Sequence, residues 1–396
     1  MSRLRPIALA LLLPLLLASP RPAQAHPQPR DAMNAAEIRQ ALERVQVTGS
    51  ALFVAAHPDD ENTAFLAWLA NGRKVRTAYL SITRGDGGQN LVGPDVGPLL
   101  GVIRTNELLA ARRIDGADQF FTRAIDFGFS KGPEETLEMW GRERTLSDVV
   151  WVIRSFRPDV IVTRFPVDGG GGHGHHTASA LLAEEAFAAA ADPARFPEQL
   201  ARVRPWQAKR LAWNVFRFGG QPADTMPGRV RVDVGAYDPL LGRSYTEIAG
   251  ESRSMHKSQG FGSAERRGSF VNSFEHRLGT RATADLFDGV DLTWSRVKGA
   301  AKLPALLARA AREFRPERPQ AIVPTLLAAR ALLAGLPADP DSAPLVAARR
   351  ADLDELIRSA LGLWVEAIAA VPTASAGGRV RVVTAAIARN DAPVVL

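Results

Sequence analysis

The sequence predicts an α/β protein: a Rossmann-like, mostly parallel sheet with helices on both faces, followed by an appended C-terminal helical segment. Three observations carry this. Short runs with an apolar centre, such as 51–56 and 158–165, have the length of strands buried on both faces. Amphipathic stretches of about 10 to 15 residues alternate with them, the rhythm of βαβ units. From Trp294 onward the chain turns Ala-, Leu- and Arg-rich with helical periodicity.

The elements follow in order. Residues 1–25 are expected to be a secretory signal: Arg3 and Arg5, an apolar run over 7–17, then Ala23-Gln24-Ala25 as a small-residue cleavage site. A membrane anchor fits less well, because the run is short and Pro14 breaks it. A secreted or periplasmic location follows from this reading. Residues 26–47 are a tail and a helix, with Asp31 as cap and Ile38, Leu42 and Val45 on one face. A domain over 48–290 begins with the strand at 51–56 and a helix over 61–71 that Gly72 stops. A strand over 75–83 runs into a glycine-rich loop, 84–90, whose spacing is not that of a dinucleotide fingerprint. Helices over 99–114 and 146–156 precede the strand at 158–165, and a helix follows the glycine run 169–172. Strands are expected at 211–216 and 230–234, then a helix and loops over the site through 290. Residues 291–371 read as a helical unit, punctuated by Pro316, Pro319 and the 336–340 loop. Residues 372–396 alternate like the start of a β-domain left incomplete, expected to be poorly ordered or docked on the helices.

Composition narrows the function. There is no cysteine among the 396 residues, so metal ligands must be His, Asp or Glu. The net charge of +7 includes Arg3, Arg5 and Arg21, and no basic block remains beyond them. Nucleic acid is therefore not an expected partner. No apolar run after the signal is long enough for stable membrane insertion.

Two clusters carry the chemistry. His57-Pro58-Asp59-Asp60-Glu61 sits where the first strand ends and a helix begins. In open α/β sheets that is the crevice where ligands bind. His173-Gly174-His175-His176 lies at the end of the 158–165 strand, and His173 and His176 share a face of a first helical turn. Imidazoles and carboxylates crowded there suit a divalent metal with one open position and a neighbouring base. The ordinary structural readings are a packed His57 and first-turn acids at 59–61. Glu61 is assigned no chemistry, and His175 is expected to face solvent or an outer layer.

The His-Pro-Asp-Asp-Glu cluster, with a His-x-x-His cluster roughly a hundred residues on, resembles the LmbE-like or PIG-L family. Thr83 to Asn90, Ile103-Arg104-x-x-Glu107 and 110–116 agree, and the likeness spans about 48–190. Members are metal-dependent de-N-acetylases of N-acetylglucosaminyl compounds. The resemblance implies His57, Asp60 and His176 as metal ligands, Asp59 as general base, and His173 as carbonyl polariser or proton donor. Zn2+ is the implied metal, with Fe2+ or another divalent ion as alternatives. Arg104 is implied to contact substrate, with a helix-surface pair to Glu107 as the ordinary alternative. Asp86 in the glycine-rich loop, and Arg253, His256 and Gln259 in a Ser-Arg-x-x-His-x-Ser-Gln stretch, are further substrate-binding candidates. A structural helix is the rival reading for that last stretch. Members often carry Asp where this chain has His175, which leaves Asp168 as a candidate to orient His173. The function implied is N-deacetylation of an N-acetylglucosamine-type sugar or glycan. The alternatives are another metal-dependent amidase or esterase, or a carbohydrate-binding protein that has lost catalysis.

Overall fold

The structure, a computed structural model, describes residues 32–215, 226–392 and 394. The signal, the tail and the Asp31 cap lie outside the described residues. Helix α1 (Ala35–Arg44) starts instead at Asn34. The Asn34 side chain accepts the Glu37 N–H at 3.0 Å and the Glu37 carboxylate accepts the Asn34 N–H at 2.7 Å, a reciprocal capping box.

The chain then runs β1 (Ser50–Ala55), α2 (Thr63–Ala67), β2 (Arg76–Ser81), α3 (Pro98–Asp115), β3 (Asp118–Phe121), α4 (Pro133–Trp140), α5 (Arg142–Phe156), β4 (Val160–Thr163), α6 (Gly174–Ala189) and β5 (Arg210–Asn214). After it come β6 (Val230–Asp233), the short pair β7 (Tyr237–Asp238) and β8 (Arg243–Ser244), α7 (Tyr245–Arg253) and β9 (Val271–Gly279). The main sheet has the order β3-β2-β1-β4-β5-β9-β6. Strands β1 to β5 pair in parallel, and β9 runs antiparallel between β5 and β6.

Both faces of this sheet are covered, as the continuous apolar strands require. Leu52 and Val54 of β1 pack with Leu137, Trp140, Val149 and Leu182 from α4, α5 and α6. Ala51, Phe53 and Ala55, pointing the other way, pack with Phe65, Leu108 and Ala249 from α2, α3 and α7. The alternation of β1 thus divides the domain into two cores. Residues 235–290 hold more than the expected helix and loops: β9 lies there, fully integrated in the sheet.

Helices α8 (Leu303–Glu313), α9 (Val323–Ala334) and α10 (Ala343–Ala360) form a separate apolar core, and α1 belongs to it. Leu42 of α1 is buried with Leu307, Leu326 and Leu356, and the Trp294 indole donates to the Val45 carbonyl at 2.9 Å. Arg296 ties this unit to the sheet through both oxygens of Asp159, at 2.8 and 3.0 Å. Asp159 in turn accepts the Ser50 N–H at 2.9 Å, so the junction lies at the amino-terminal ends of β1 and β4.

The reading of 291–371 as a helical unit holds only as far as Ala360. β10 (Leu363–Ala369) pairs antiparallel with β11 (Val382–Ala388), so the strand expected near the end of the chain is half of a hairpin. Exposed Val365 and Ile368 explain the error: with both faces open, no period-2 burial pattern marks β10.

Candidate metal centre

β1 delivers His57 to the carboxyl edge of the sheet, where the chain folds back on itself. The Asp60 carboxylate accepts the His57 N–H at 2.7 Å and lies 3.1 Å from His57 Nδ1. The Tyr79 hydroxyl, from the neighbouring strand β2, donates to the His57 carbonyl. Between them Asp59 adopts φ of +93°, in the left-handed region. A non-glycine residue held there stores strain of about 1–3 kcal/mol, which surrounding contacts must over-determine.

Those contacts are present. Glu61 Oε2 accepts the Asp59 N–H at 2.9 Å, Arg253 Nη1 donates to the Asp59 carbonyl at 2.9 Å, and Arg104 Nη2 donates to Asp59 Oδ1 at 3.0 Å. Arg104 also donates to the carbonyls of Pro58 at 2.5 Å and Gly85 at 3.2 Å. Gly85 is required on two counts: its φ is +73°, and a Cβ there would lie 2.3 Å from Arg104 Nη1.

The second cluster opens α6. A Cβ on Gly174 would lie 2.2 Å from the Gly132 carbonyl oxygen, so only glycine lets the helix start this close to the 130–132 loop. His176 stacks on Phe165 with ring centroids 3.7 Å apart and planes within 4°. Its Nδ1 meets the Gly171 carbonyl, which leaves Nε2 facing Asp60 Oδ1 at 3.4 Å. One ligand atom each from His57, Asp60 and His176 lies within 4.8 Å of the others.

These three residues fit a divalent cation. Tetrahedral ligands at about 2.0–2.1 Å from a zinc ion stand about 3.3 Å apart. The His57 to Asp60 and Asp60 to His176 separations, 3.1 and 3.4 Å, bracket that value. The carbonyl on His176 Nδ1 supplies the outer contact that fixes a ligating imidazole's tautomer.

A cavity of about 340 Å³ lies over the cluster, lined by His57, Asp59, Asp60, Arg104, Asp126, Phe129, His173, His176 and Gln259 among others. Burial, opposed by Arg104, pushes the Asp59 carboxyl up to about 6. Burial also acts against ionised Asp60, but His176 and His57 outweigh it and hold that carboxyl well below its usual range. Burial and the neighbouring His176 and His57 bring His173 down to about 4.

Several expected residues take other places. His256 is wholly buried, with Nε2 2.8 Å from Glu61 Oε1, and is out of the cavity. Arg253 holds the Asp59 carbonyl and lies over the Phe261 ring, its guanidinium carbon 4.3 Å from the centroid, also outside the lining. Asp86 packs against Gly101 of α3, where a Cβ would meet its Oδ1 at 2.1 Å, instead of lining the cavity. Arg104 does line it, while its hydrogen bonds go to the Asp59 loop and the Gly85 carbonyl. The Glu107 alternative fails, because Glu107 accepts from Ser258 N and Oγ at 2.7 and 2.6 Å. Asp168 is exposed and accepts the Gly170 N–H, and His173 Nδ1 is buried without a hydrogen-bond partner.

Three residues matter more than the sequence suggested. Glu61 is 1% exposed and joins Arg112 at 3.2 Å and His256, so it anchors the Asp59 turn from beneath. His175 is fully buried between Phe127 and Trp140, with Nδ1 2.9 Å from His57 Nε2. Asp126 was not singled out. It approaches His57 at 3.8 Å and His175 at 3.6 Å from the loop after β3. The only available signal was an Asp shortly after a strand end, and the strand itself was not legible.

Residues 52–187 match the sequence profile of the family described as PIG-L: GlcNAc-PI de-N-acetylase. This segment is a PIG-L-family domain. It holds His57, Asp59, Asp60, His173 and His176, on the mostly parallel sheet described above. The chain is 34% identical over 182 residues to a 1D-myo-inositol 2-acetamido-2-deoxy-alpha-D-glucopyranoside deacetylase of Streptomyces avermitilis, covering 41% of this chain and 60% of that protein. It is 30% identical over 159 residues to a mycothiol S-conjugate amidase of Streptomyces coelicolor, covering 37% and 54%. The match thus takes in little more than half the length of these relatives. Among solved structures, N,N'-diacetylchitobiose deacetylase from Pyrococcus horikoshii aligns with a TM-score of 0.39 and 17% identity, over 56% of this chain and 76% of that one.

Proposed function

We propose that the PIG-L-family domain is a metal-dependent N-deacetylase that hydrolyses the acetamide of an N-acetylglucosamine-type sugar or glycan. The observation that carries this is the convergence of His57, Asp60 and His176 beneath an open cavity, with Asp59 and His173 on its wall. Zn2+ is the proposed ion, held by those three residues. When bound, such an ion acts as a Lewis acid that stabilises negative charge developing on oxygen.

The protein's own groups supply the rest. An amide needs an activated water, a stabilised oxyanion and a proton for the departing amine. Asp59, pushed up to about 6, is ionised at neutral pH yet basic enough to take a proton from the attacking water. Arg104 fixes the direction of its carboxylate. His173, neutral at pH 7, faces the cavity and is placed to donate a hydrogen bond to the substrate oxygen or the amine. Phe129 forms an apolar wall beside His173, with ring centroids 5.7 Å apart.

We further propose that the protein is secreted or periplasmic, on the charged, apolar, then small-residue pattern of residues 1–25. Among the described residues, no helix is long and apolar enough to cross a membrane. The similarity to an amidase supports a second reading, hydrolysis of a different N-acyl compound by the same residues.

The test is metal analysis of the purified protein, then acetate release from N-acetylglucosamine oligomers and conjugates. Chelation is expected to abolish release and Zn2+ to restore it. Turnover of other amides but no acetylated sugar moves the assignment to the amidase reading. Glycan binding without turnover by metal-replete protein replaces the enzyme with a binding protein.

A further inference from the structure

His57 has two ring nitrogens, and they face different groups. Nδ1 looks toward Asp60, the carboxylate shared with His176. Nε2 looks toward a second set: His175 Nδ1 at 2.9 Å and Asp126 Oδ2 at 3.8 Å, while His175 Nδ1 and Asp126 Oδ1 are 3.6 Å apart. The ring of His173 stacks over His57 and completes the group. One nitrogen each from His57, His173 and His175 lies within 4.8 Å of the others.

We propose that this set is a second cation site, adjoining the first and sharing His57 through its other nitrogen. Its ligands are His57 Nε2, His175 Nδ1, a nitrogen of His173 and the Asp126 carboxylate. The distances bracket the separation of about 3.3 Å expected of tetrahedral ligands to a zinc-sized ion. Three imidazoles and one carboxylate suit Zn2+ or Cu2+.

Two further observations favour a cation there. Asp126 is 6% exposed, and its ion-pair partners among the described residues are the His57 and His175 imidazoles. A buried carboxylate in such a place needs a positive charge. Its Oδ1 accepts the Gly128 N–H at 2.8 Å, which aims the group. His175, walled in by Phe127 and Trp140, is sheltered from water, so its Nδ1 is spent on this group alone.

Filling both sites costs His57 its last ring proton. That proton leaves to solvent, and the ring becomes an imidazolate bridging the two ions. The inference concerns metal binding and stands apart from the choice of substrate.

The test uses the full chain, stripped with chelator and titrated with Zn2+ by calorimetry, with metal content read by mass spectrometry. Two equivalents are expected for the unaltered protein, the second weaker, and one for His175→Phe. Phenylalanine suits the apolar walls at 175, so this variant is expected to fold, and circular dichroism checks it. Asp126→Asn keeps the acceptor for Gly128 and provides an independent arm, expected to weaken the second step at least about 10-fold, the scale of a lost metal-site contact. Loaded with Cu2+, the unaltered protein is expected to show an electron-spin signal after one equivalent that shrinks on adding the second, as the bridged ions couple. A single equivalent in the unaltered protein overturns the second site and leaves the first intact. Two undiminished equivalents in both variants also overturn it, by placing the second ion elsewhere. No binding at all overturns both sites.

Discussion

The two halves of the metal centre are held by different means. The 57–61 turn is fixed by polar contacts reaching in from β2, α3 and α7: Tyr79, Arg104 and Arg253 donate to its carbonyls and carboxylate, and Glu61 accepts its amide. The 173–176 segment has fewer such bonds and is held more by shape. Phe165 lies flat on His176, Phe127 and Trp140 enclose His175, and Phe129 sits beside His173. A strained backbone needs many directional bonds, whereas these imidazoles lean mainly on walls, with the Gly171 carbonyl fixing the His176 tautomer. Replacing the base should therefore act on proton transfer, and loosening the walls around His176 on metal affinity.

Substitutions can break that division. The largest effect is expected from Asp59→Asn, which keeps the shape but not the base. The rate of acetate release should fall about 100- to 10,000-fold with metal content unchanged. Loss of the metal together with the rate would show that Asp59 serves binding instead. Next comes Glu61→Ala, which leaves the buried His256 and the Asp59 N–H without their carboxylate, while Arg112 keeps Asp115. Breaking such a pair costs about 3–5 kcal/mol, to be read from urea unfolding. If stability held and only the rate fell, the network would be catalytic and not structural. The smallest effect is expected from Phe165→Leu, which removes the flat wall behind His176. Zinc should bind about 10-fold more weakly, with little change in rate at saturating metal. A rate that stayed low at saturation would dissolve the contrast between the halves.

How much of this the sequence disclosed depended on locality. His57, Asp60 and His176 were legible because each lies between the end of a wholly buried, mostly apolar strand and the first turn of the next helix. The four-residue β3 at the sheet edge, only partly buried, gave no comparable run, so Asp126 just beyond it went unmarked. Pairings distant along the chain were equally hidden. Glu61 and His256 are 195 residues apart, and nothing in either neighbourhood says that both are buried. His175 illustrates the limit of periodicity. Its place on α6 is readable, but the loop that closes over it is not. In β9 a register shift opposite Leu211 and Ala212, together with the polar Asn272, Ser273, Glu275 and His276, masked a strand paired on both sides as irregular chain.

The union of α1 with α8, α9 and α10 has a topological consequence. Helices from near opposite ends of the polypeptide close around one another at the back of the sheet, the way a belt fastens behind the body, and Arg296 is its buckle on Asp159. Removing the trailing helices would leave the leading one with its greasy side bare, so neither can be shed without unfastening the other. Because the fastening is remote from the strand ends that carry the histidines, immobilising the molecule by that rear side leaves the mouth of the cavity turned outward.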